Sequence, residues 1–308
     1  TEVNRISSHL VAVGTGSMEL GATSVTEVGL REREICLEFN QAVTGLRMNN
    51  AWIRPGGTAT DLPDNGMDLL RDLIARMEDN LHELSEFTLQ NPIFKSRMKG
   101  IARMELAQCM ALGITGPTLR ATGLPWDLRK TNPYIGYEDY EFDVPTADTA
   151  DCYGRFVIRL EEMNQSVRIL KQVVKKLEDT QGQRHMVDDP HIAWPAELAI
   201  GPDGQGNSHE HIKHIMGESM EALIHHFKVI TEGFKVPAGE VYQSIEGVAG
   251  ELGCHLVSDG GVRPYRAHIR DTGFINVQSL PAMCEGGMLS DVVPALASID
   301  PVMGGVDR

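Results

Sequence analysis

Apolar residues return at helical spacing along four stretches of the chain, and these stretches predict its frame. Residues 3–14 read as a first helix, with an interruption expected at Gly14 and Gly16, and residues 27–43 as a second. A third, capped by Asp64 or Asn65, places Leu69, Leu70, Leu73, Ile74, Met77, Leu81, Leu84 and Phe87 along one side up to about residue 90. The fourth, residues 151–177, repeats Phe156, Val157, Leu160, Met163, Val167, Leu170, Val174 and Leu177 and ends in basic residues, as the negative end of a helix dipole favours. Stripes this regular are core packing.

Between these helices the periodicity breaks down twice. Residues 113–150 are rich in Pro, Gly, Trp and Tyr and form a loop too long for a simple connection, which predicts that it covers a partner or a site. Residues 185–208 include Gly201-Pro202-Asp203-Gly204-Gln205-Gly206-Asn207-Ser208, a polar surface insertion, and a helix over 209–231 follows. After Pro237 the pattern turns to strands: 251–258 and 264–269 flank Asp259-Gly260-Gly261, a hairpin signal. A last helix over 288–299 contains Pro294, which predicts a kink or a late start. The expected class is α+β, mainly α: a long-helix core closed by a small C-terminal β-hairpin and helix. It is read as a single domain, with 1–235 mainly helical and 236–308 holding the hairpin, helix and terminal segment.

Composition narrows the function classes. A chain of 308 residues can bury roughly three quarters of its unfolded surface, so it needs no staples. Its 28 Lys and Arg against 43 Asp and Glu give a net charge of −15, with no basic stripe, which argues against a nucleic-acid partner. Five cysteines without a Cys-x-x-Cys pair argue against a disulfide framework or a thiolate-held cluster; Cys36, Cys109, Cys152, Cys254 and Cys284 read as small core residues. No run of about 18 uncharged apolar residues predicts a membrane span. Thr1 begins inside what already reads as a helix, so an N-terminal portion is expected upstream.

Few motifs carry chemistry on their own. His211 and His214 share a helix face near His209, with His225 and His226 further on, but no third ligand stands at a recognised spacing, and solvated or interface histidines are expected. Neither a Gly-x-Ser-x-Gly elbow nor a nucleotide-binding glycine loop occurs.

The C-terminus is more informative. Asp300-Pro301-Val302-Met303-Gly304-Gly305-Val306-Asp307-Arg308 resembles the end of nickel-iron hydrogenase large subunits, where Asp-Pro is followed by Cys-x-x-Cys and then a His. Here those positions hold Val302, Gly305 and Arg308, and neither Val nor Gly offers a thiolate to a metal. Further blocks in order are Asn4-Arg5-Ile6-Ser7-Ser8-His9-Leu10, Arg31-Glu32-Arg33-Glu34, Thr44-Gly45-Leu46-Arg47-Met48-Asn49, Ile53-Arg54-Pro55-Gly56-Gly57, Trp126-Asp127-Leu128-Arg129-Lys130-Thr131, Asp151-Cys152-Tyr153 and Arg263-Pro264-Tyr265. Together they resemble the D-subunit family of respiratory complex I, NADH-quinone oxidoreductase, over essentially the whole chain.

That resemblance implies a hydrogenase large-subunit-like fold. It also implies a peripheral-arm subunit with no cofactor or metal of its own, forming one wall of a quinone cavity. A small partner subunit would hold the terminal 4Fe-4S cluster, and FMN and further iron–sulfur clusters would lie on other partners, with membrane-arm subunits beyond. His9, Val11, Thr15 and Glu19 are the implied cavity residues on the first helix, Asp300 and Val302 those of the C-terminal segment, and Arg47 lies toward the cluster interface. The family's quinone-ligating Tyr and its paired His would precede Thr1, so no residue here is assigned as proton donor. Glu19 departs from the usual Asp, and Gly247-Val248-Ala249-Gly250 departs from a pattern with Pro and a basic residue. With the polar insertion, Glu19 points to a bacterial lineage, peripheral on the cytoplasmic side of the cell membrane, with menaquinone as the expected quinone. The competing expectation is an equivalent cofactor-free scaffold in a related membrane-bound oxidoreductase or hydrogenase complex that uses another electron donor.

Overall fold

A computed structural model describes residues 1–187 and 219–307. Helix α1 (Glu2–Met18) packs against α2 (Thr23–Thr44), α2 against α3 (Gly66–Phe87), and both α1 and α3 against α8 (Cys152–Asp179). These are the four predicted helices. They enclose one apolar cluster that includes Ile6, Leu10, Val13, Leu73, Met77, Leu84, Phe156, Leu160 and Met163.

Helix α1 runs without a break through the two glycines expected to interrupt it. Their role is packing. A Cβ on Gly16 would lie 2.6 Å from the Phe156 ring, and one on Gly29 of α2 would lie 2.9 Å from the Leu10 carbonyl oxygen of α1. With no side chain in the way, the helices approach closely enough for Thr26 Oγ1 to donate across to the Gly14 carbonyl at 2.9 Å.

The segment 113–150 is a packed belt. Short helices α4 (Pro92–Met98) and α5 (Leu106–Leu112) lead into it, and it contains α6 (Pro117–Arg120) and α7 (Leu128–Thr131). Tyr137 and Phe142 pack on Ile169 of α8 as a second, small apolar cluster. Asp151 caps α8 by accepting from Gly154 N and ties in the turn after α4 by accepting from Gly100 N, both at 2.8 Å.

Two short strands, β1 (Ile53–Arg54) and β2 (Gly57–Thr58), form an unpredicted ribbon. The predicted C-terminal hairpin is instead a three-stranded antiparallel sheet of β3 (Gly239–Glu246), β4 (Glu251–Ser258) and β5 (Arg266–Arg270), in that order. Register pairs Val241 with Leu256 and Leu256 with Ala267. The helix expected over 209–231 is described only as α9 (Met220–Glu232); its earlier part, with His209, His211 and His214, lies outside the described residues, as do most of the 185–208 insertion and Arg308. Helices α10 (Thr272–Val277), α11 (Leu280–Cys284), α12 (Val292–Ser298) and α13 (Met303–Val306) complete the chain. Pro294 falls in the first turn of α12, so the helix starts late. Cys36, Cys109 and Cys152 are buried as expected, whereas Cys254 and Cys284 are only half-buried. Among the described residues no helix is long and apolar enough to cross a membrane.

Gly29→Val should destabilise the purified protein by about 2–3 kcal/mol, because the Leu10 backbone cannot yield as a flexible side chain would. An unchanged melting temperature would show that α1 and α2 are not in such close contact.

Candidate functional site

Residues 11, 15 and 19 fall at i, i+4 and i+8, so one side of α1 carries Val11, Thr15 and Glu19 in a line. Thr15 folds its hydroxyl back onto the Val11 carbonyl at 2.8 Å. The C-terminal half of this line meets α12 and the turn beyond it. There Thr15, Gly16 and Glu19 share a cleft of about 270 Å³ with Val293, Leu296, Asp300 and Pro301. Three of the predicted site residues, Thr15, Glu19 and Asp300, are therefore brought together although Asp300 lies 281 positions after Glu19 in sequence.

The other four stand elsewhere. Val11 is half-buried one turn before Thr15, outside the cleft lining. Val302 lies just past Pro301, 59 % exposed, at the N-cap of α13. Arg47 is on the surface, where it donates to Glu34 at 2.5 Å. His9, expected on the cavity wall, is fully buried, with its Nε2 2.8 Å from Glu162 Oε2. The reason is hydrogen bonding: a polar ring two turns before the cleft finds its acceptor, Glu162, in the core.

That partner is the centre of a buried ionic cluster that reasoning from the sequence does not find. Arg120 Nε of α6 donates to Glu162 Oε1 at 2.8 Å, and its Nη1 donates to Glu246 Oε1 of β3 at 2.9 Å. Glu246 Oε2 also accepts from Leu128 N at 3.1 Å. Arg5 donates to the Glu246 and Gly247 carbonyls, at 2.8 and 3.1 Å. Nearby, Arg129 binds Asp127, with Nη2 to Oδ2 at 2.7 Å, and Glu2 accepts from Ser166 Oγ at 2.6 Å and from the Tyr137 hydroxyl. Asp127 and Arg129 thus belong to the interior.

A signal for this cluster exists in the sequence. Arg155, Arg159, Glu162 and Ser166 recur at i, i+4, i+7 and i+11 and so share one face of α8 with buried neighbours. Arg155 donates from Nη1 to Ser298 Oγ at 2.9 Å and from Nη2 to the Ala102 carbonyl at 2.8 Å; Arg159 Nη2 donates to the Ser298 carbonyl at 2.6 Å. These two guanidinium groups lie directly behind the turn that ends in Asp300.

Burial alone would push the Glu162 carboxyl up, but Arg120, helped by the His9 donor and by Arg5, holds it well below the usual carboxylate range. Burial likewise opposes ionisation of Glu2, which Arg5 and Arg129 overcome, drawing it down to about 2. His9 is shifted down, chiefly by burial, with Glu162 opposing. It is therefore assigned as the neutral ring that donates from Nε2. A second depression, between α3 and α8, is lined by Glu78, Asn164, Arg168 and Lys171 and holds no predicted site residue. Among the described residues no group of three or more His, Cys, Asp or Glu is placed to hold a metal ion.

The architecture is thus that of a helical protein whose C-terminal segment is folded back onto its first helix to make a cleft with carboxylates at its edge. The model of the family described as respiratory-chain NADH dehydrogenase, 49 Kd subunit, matches residues 19–308. The chain is 79% identical over 308 residues to the D subunit of the NADH-quinone oxidoreductase of Cutibacterium acnes, covering 100% of this chain and 71% of that protein. It is 61% identical over 307 residues to the corresponding D 2 subunit of Streptomyces coelicolor and 59% identical over 307 residues to the D subunit of a Nocardioides species, covering 100% of this chain and 69% of each relative. The chain belongs to this 49 kDa family, which makes it a component of complex I and part of an oxidoreductase assembly.

Acid should destabilise the fold in two stages. His9, Glu162 and Glu2 all have folded-state values below their unfolded ones, so their contributions are complete at neutral pH and are lost as pH falls. Melting temperature should begin to drop below the ordinary His value of 6.5 and fall more steeply below 4.5. Glu162→Gln should cost about 3–5 kcal/mol at pH 7 by leaving Arg120 short of its partner, and should flatten the lower limb. A variant as stable as the parent at pH 7, with the same acid limb, would remove Glu162 from this role.

Proposed function

We propose that the chain forms one wall of the quinone cavity of a proton-translocating NADH-quinone oxidoreductase, with the cleft between α1 and the C-terminal turn as its part of that wall. The observation that carries this reading is the meeting of Thr15, Glu19 and Asp300 at one cleft whose other walls include Val293, Leu296 and Pro301. A quinone ring needs apolar contact, and its oxygens need polar groups at the rim as electrons and protons arrive. Val302 stands just beyond Pro301, where it can contact the ring or its tail. His9 acts from behind the wall through α1, and Arg47 contributes from the exposed surface that faces the partner.

On this reading the core is hydrogenase large-subunit-like, with the thiolate positions of the metal site replaced by Val302 and Gly305. The chain then holds no cofactor. Hydride chemistry belongs to FMN on another partner, and electrons reach the quinone from the 4Fe-4S cluster of a small partner that covers the cleft. The chain sits peripherally on the cytoplasmic side of a bacterial membrane, and menaquinone is the substrate.

The test is NADH-driven quinone reduction by the assembly that co-purifies with a tag on this chain. Val302→Trp and Asp300→Asn should each lower quinone reduction by about tenfold or more while leaving subunit content unchanged, within the range typical of losing one positioned contact. Full activity in both variants would place the quinone away from this cleft.

A further inference from the structure

The buried arginines behind the C-terminal turn are not explained by packing alone. Arg155 and Arg159 stand one turn apart on α8, both essentially without solvent contact. Among the described residues no carboxylate hydrogen-bonds to either; their partners are backbone carbonyls, Ser298 Oγ and the Cys152 thiol. Arg159 is the more extreme. Among the described residues it makes a single hydrogen bond, from Nη2 to the Ser298 carbonyl at 2.6 Å, and its Nη1 has no hydrogen-bond partner. A neutral amide could serve that carbonyl at far lower desolvation cost, so the charge itself calls for a reason.

The reason is two residues further on. Burial is the largest influence on Arg159 and disfavours its charge, while the carboxylates of Asp300 and Glu162 favour it. Asp300 also sits in the left-handed region, at φ 50, immediately before Pro301. For a non-glycine residue this backbone is costly, and the residue before a proline is restricted further, so something must hold the turn. The Ser298 carbonyl gripped by Arg159 and the Ser298 hydroxyl bound by Arg155 fix the chain just upstream of that strained residue.

We propose that Arg159 is a positioning residue of the cleft: its guanidinium clamps Ser298 from the core side and, by its charge, sets the Asp300 carboxylate on the cleft wall. The assignment rests on the reading of this cleft as a quinone site. Arg159 touches neither cleft nor ligand, and acts only through Asp300. It does so from a long helix, so the carboxylate is held against a rigid element rather than by its own loop.

A double-mutant cycle in the membrane-bound complex tests this, with a soluble short-chain quinone as acceptor and NADH oxidation by ferricyanide as the control for assembly. Arg159→Gln keeps a donor for the Ser298 carbonyl and removes the charge; it should lower quinone reduction by about tenfold and leave ferricyanide reduction unchanged. Arg159→Lys should recover most of the loss. Asp300→Asn should itself lower turnover, and adding Arg159→Gln to it should cost little more. Losses that multiply in the double variant, a glutamine variant as active as the parent, or a lysine variant no better than glutamine would overturn the proposal. If Asp300→Asn leaves quinone reduction intact, the quinone-site reading fails and the proposal with it; if only Arg159→Gln is silent, the proposal alone fails. Should Arg159→Gln not assemble, Arg159→Lys takes its place in the cycle, its partial loss expected to vanish when Asp300→Asn is present. Loss of assembly in both would make Arg159 a packing residue and overturn it.

Discussion

Glu162 is the constraint on which the rest depends. Its carboxylate lies in the middle of α8 with no solvent contact, receiving Arg120 on one oxygen and facing His9 on the other. An ion taken that far from water is tolerable only if its partners are supplied in fixed geometry. The partners come from three separate parts of the chain: α1 brings His9, the belt after α5 brings Arg120, and Arg120 in turn carries Glu246 at the end of β3. The small sheet is joined to the helical core at this end, through Glu246, through the carbonyls that Arg5 holds, and through Tyr134. A hydrophobic core explains why four helices pack together. It does not explain why a sheet without buried apolar side chains takes one position on them; the ionic cluster does.

The same contrast decides what can be read from the sequence. Helices α1, α2, α3 and α8 are legible because a 3.6-residue apolar period is local information. The line Val11, Thr15, Glu19 is legible for the same reason once α1 is assigned. Strand β3 escapes such a reading because Val241, Tyr242 and Ile245 are all exposed, so neither face shows a clean alternation of buried and solvated positions. The glycines at 14 and 16 mislead because sequence alone does not distinguish a glycine that breaks a helix from one that admits a neighbour. The charged face of α8 is hidden because Arg and Glu on a helix are ordinarily solvated. Only its position inside the apolar stripe, Arg155 beside Phe156 and Glu162 beside Met163, marks it as interior. The pairing of Glu19 with Asp300 has no local signal and comes from family resemblance.

The glycine and the ionic devices converge on the cleft. Gly16 lies between Thr15 and Glu19, and its missing side chain lets α1 settle against Phe156. Phe156 is flanked in turn by Arg155, and its ring lies under the Arg159 guanidinium at 5.7 Å. One turn of α8 therefore sets the depth of α1 on one side and grips the C-terminal turn on the other. The two walls of the cleft are referenced to the same rigid helix, and their spacing does not depend on the loops between them.

What the chain leaves uncovered is consistent with that arrangement. Val293 and Leu296 on the cleft wall are exposed apolar side chains, as is Val302 just past Pro301. Singly such residues are unremarkable, but grouped at the rim of a cleft they mark a surface that gains by being covered. Glu19 and Asp300 add charge at the same rim, which would be costly to cover by a purely apolar neighbour. A covering partner must therefore be apolar over the rim of α12 and polar, or open to water, over the two carboxylates. A wall for a substrate that is a flat apolar ring with protonatable oxygens has the same division, since the ring and the partner are met by the same apolar residues and only the oxygens need the acids.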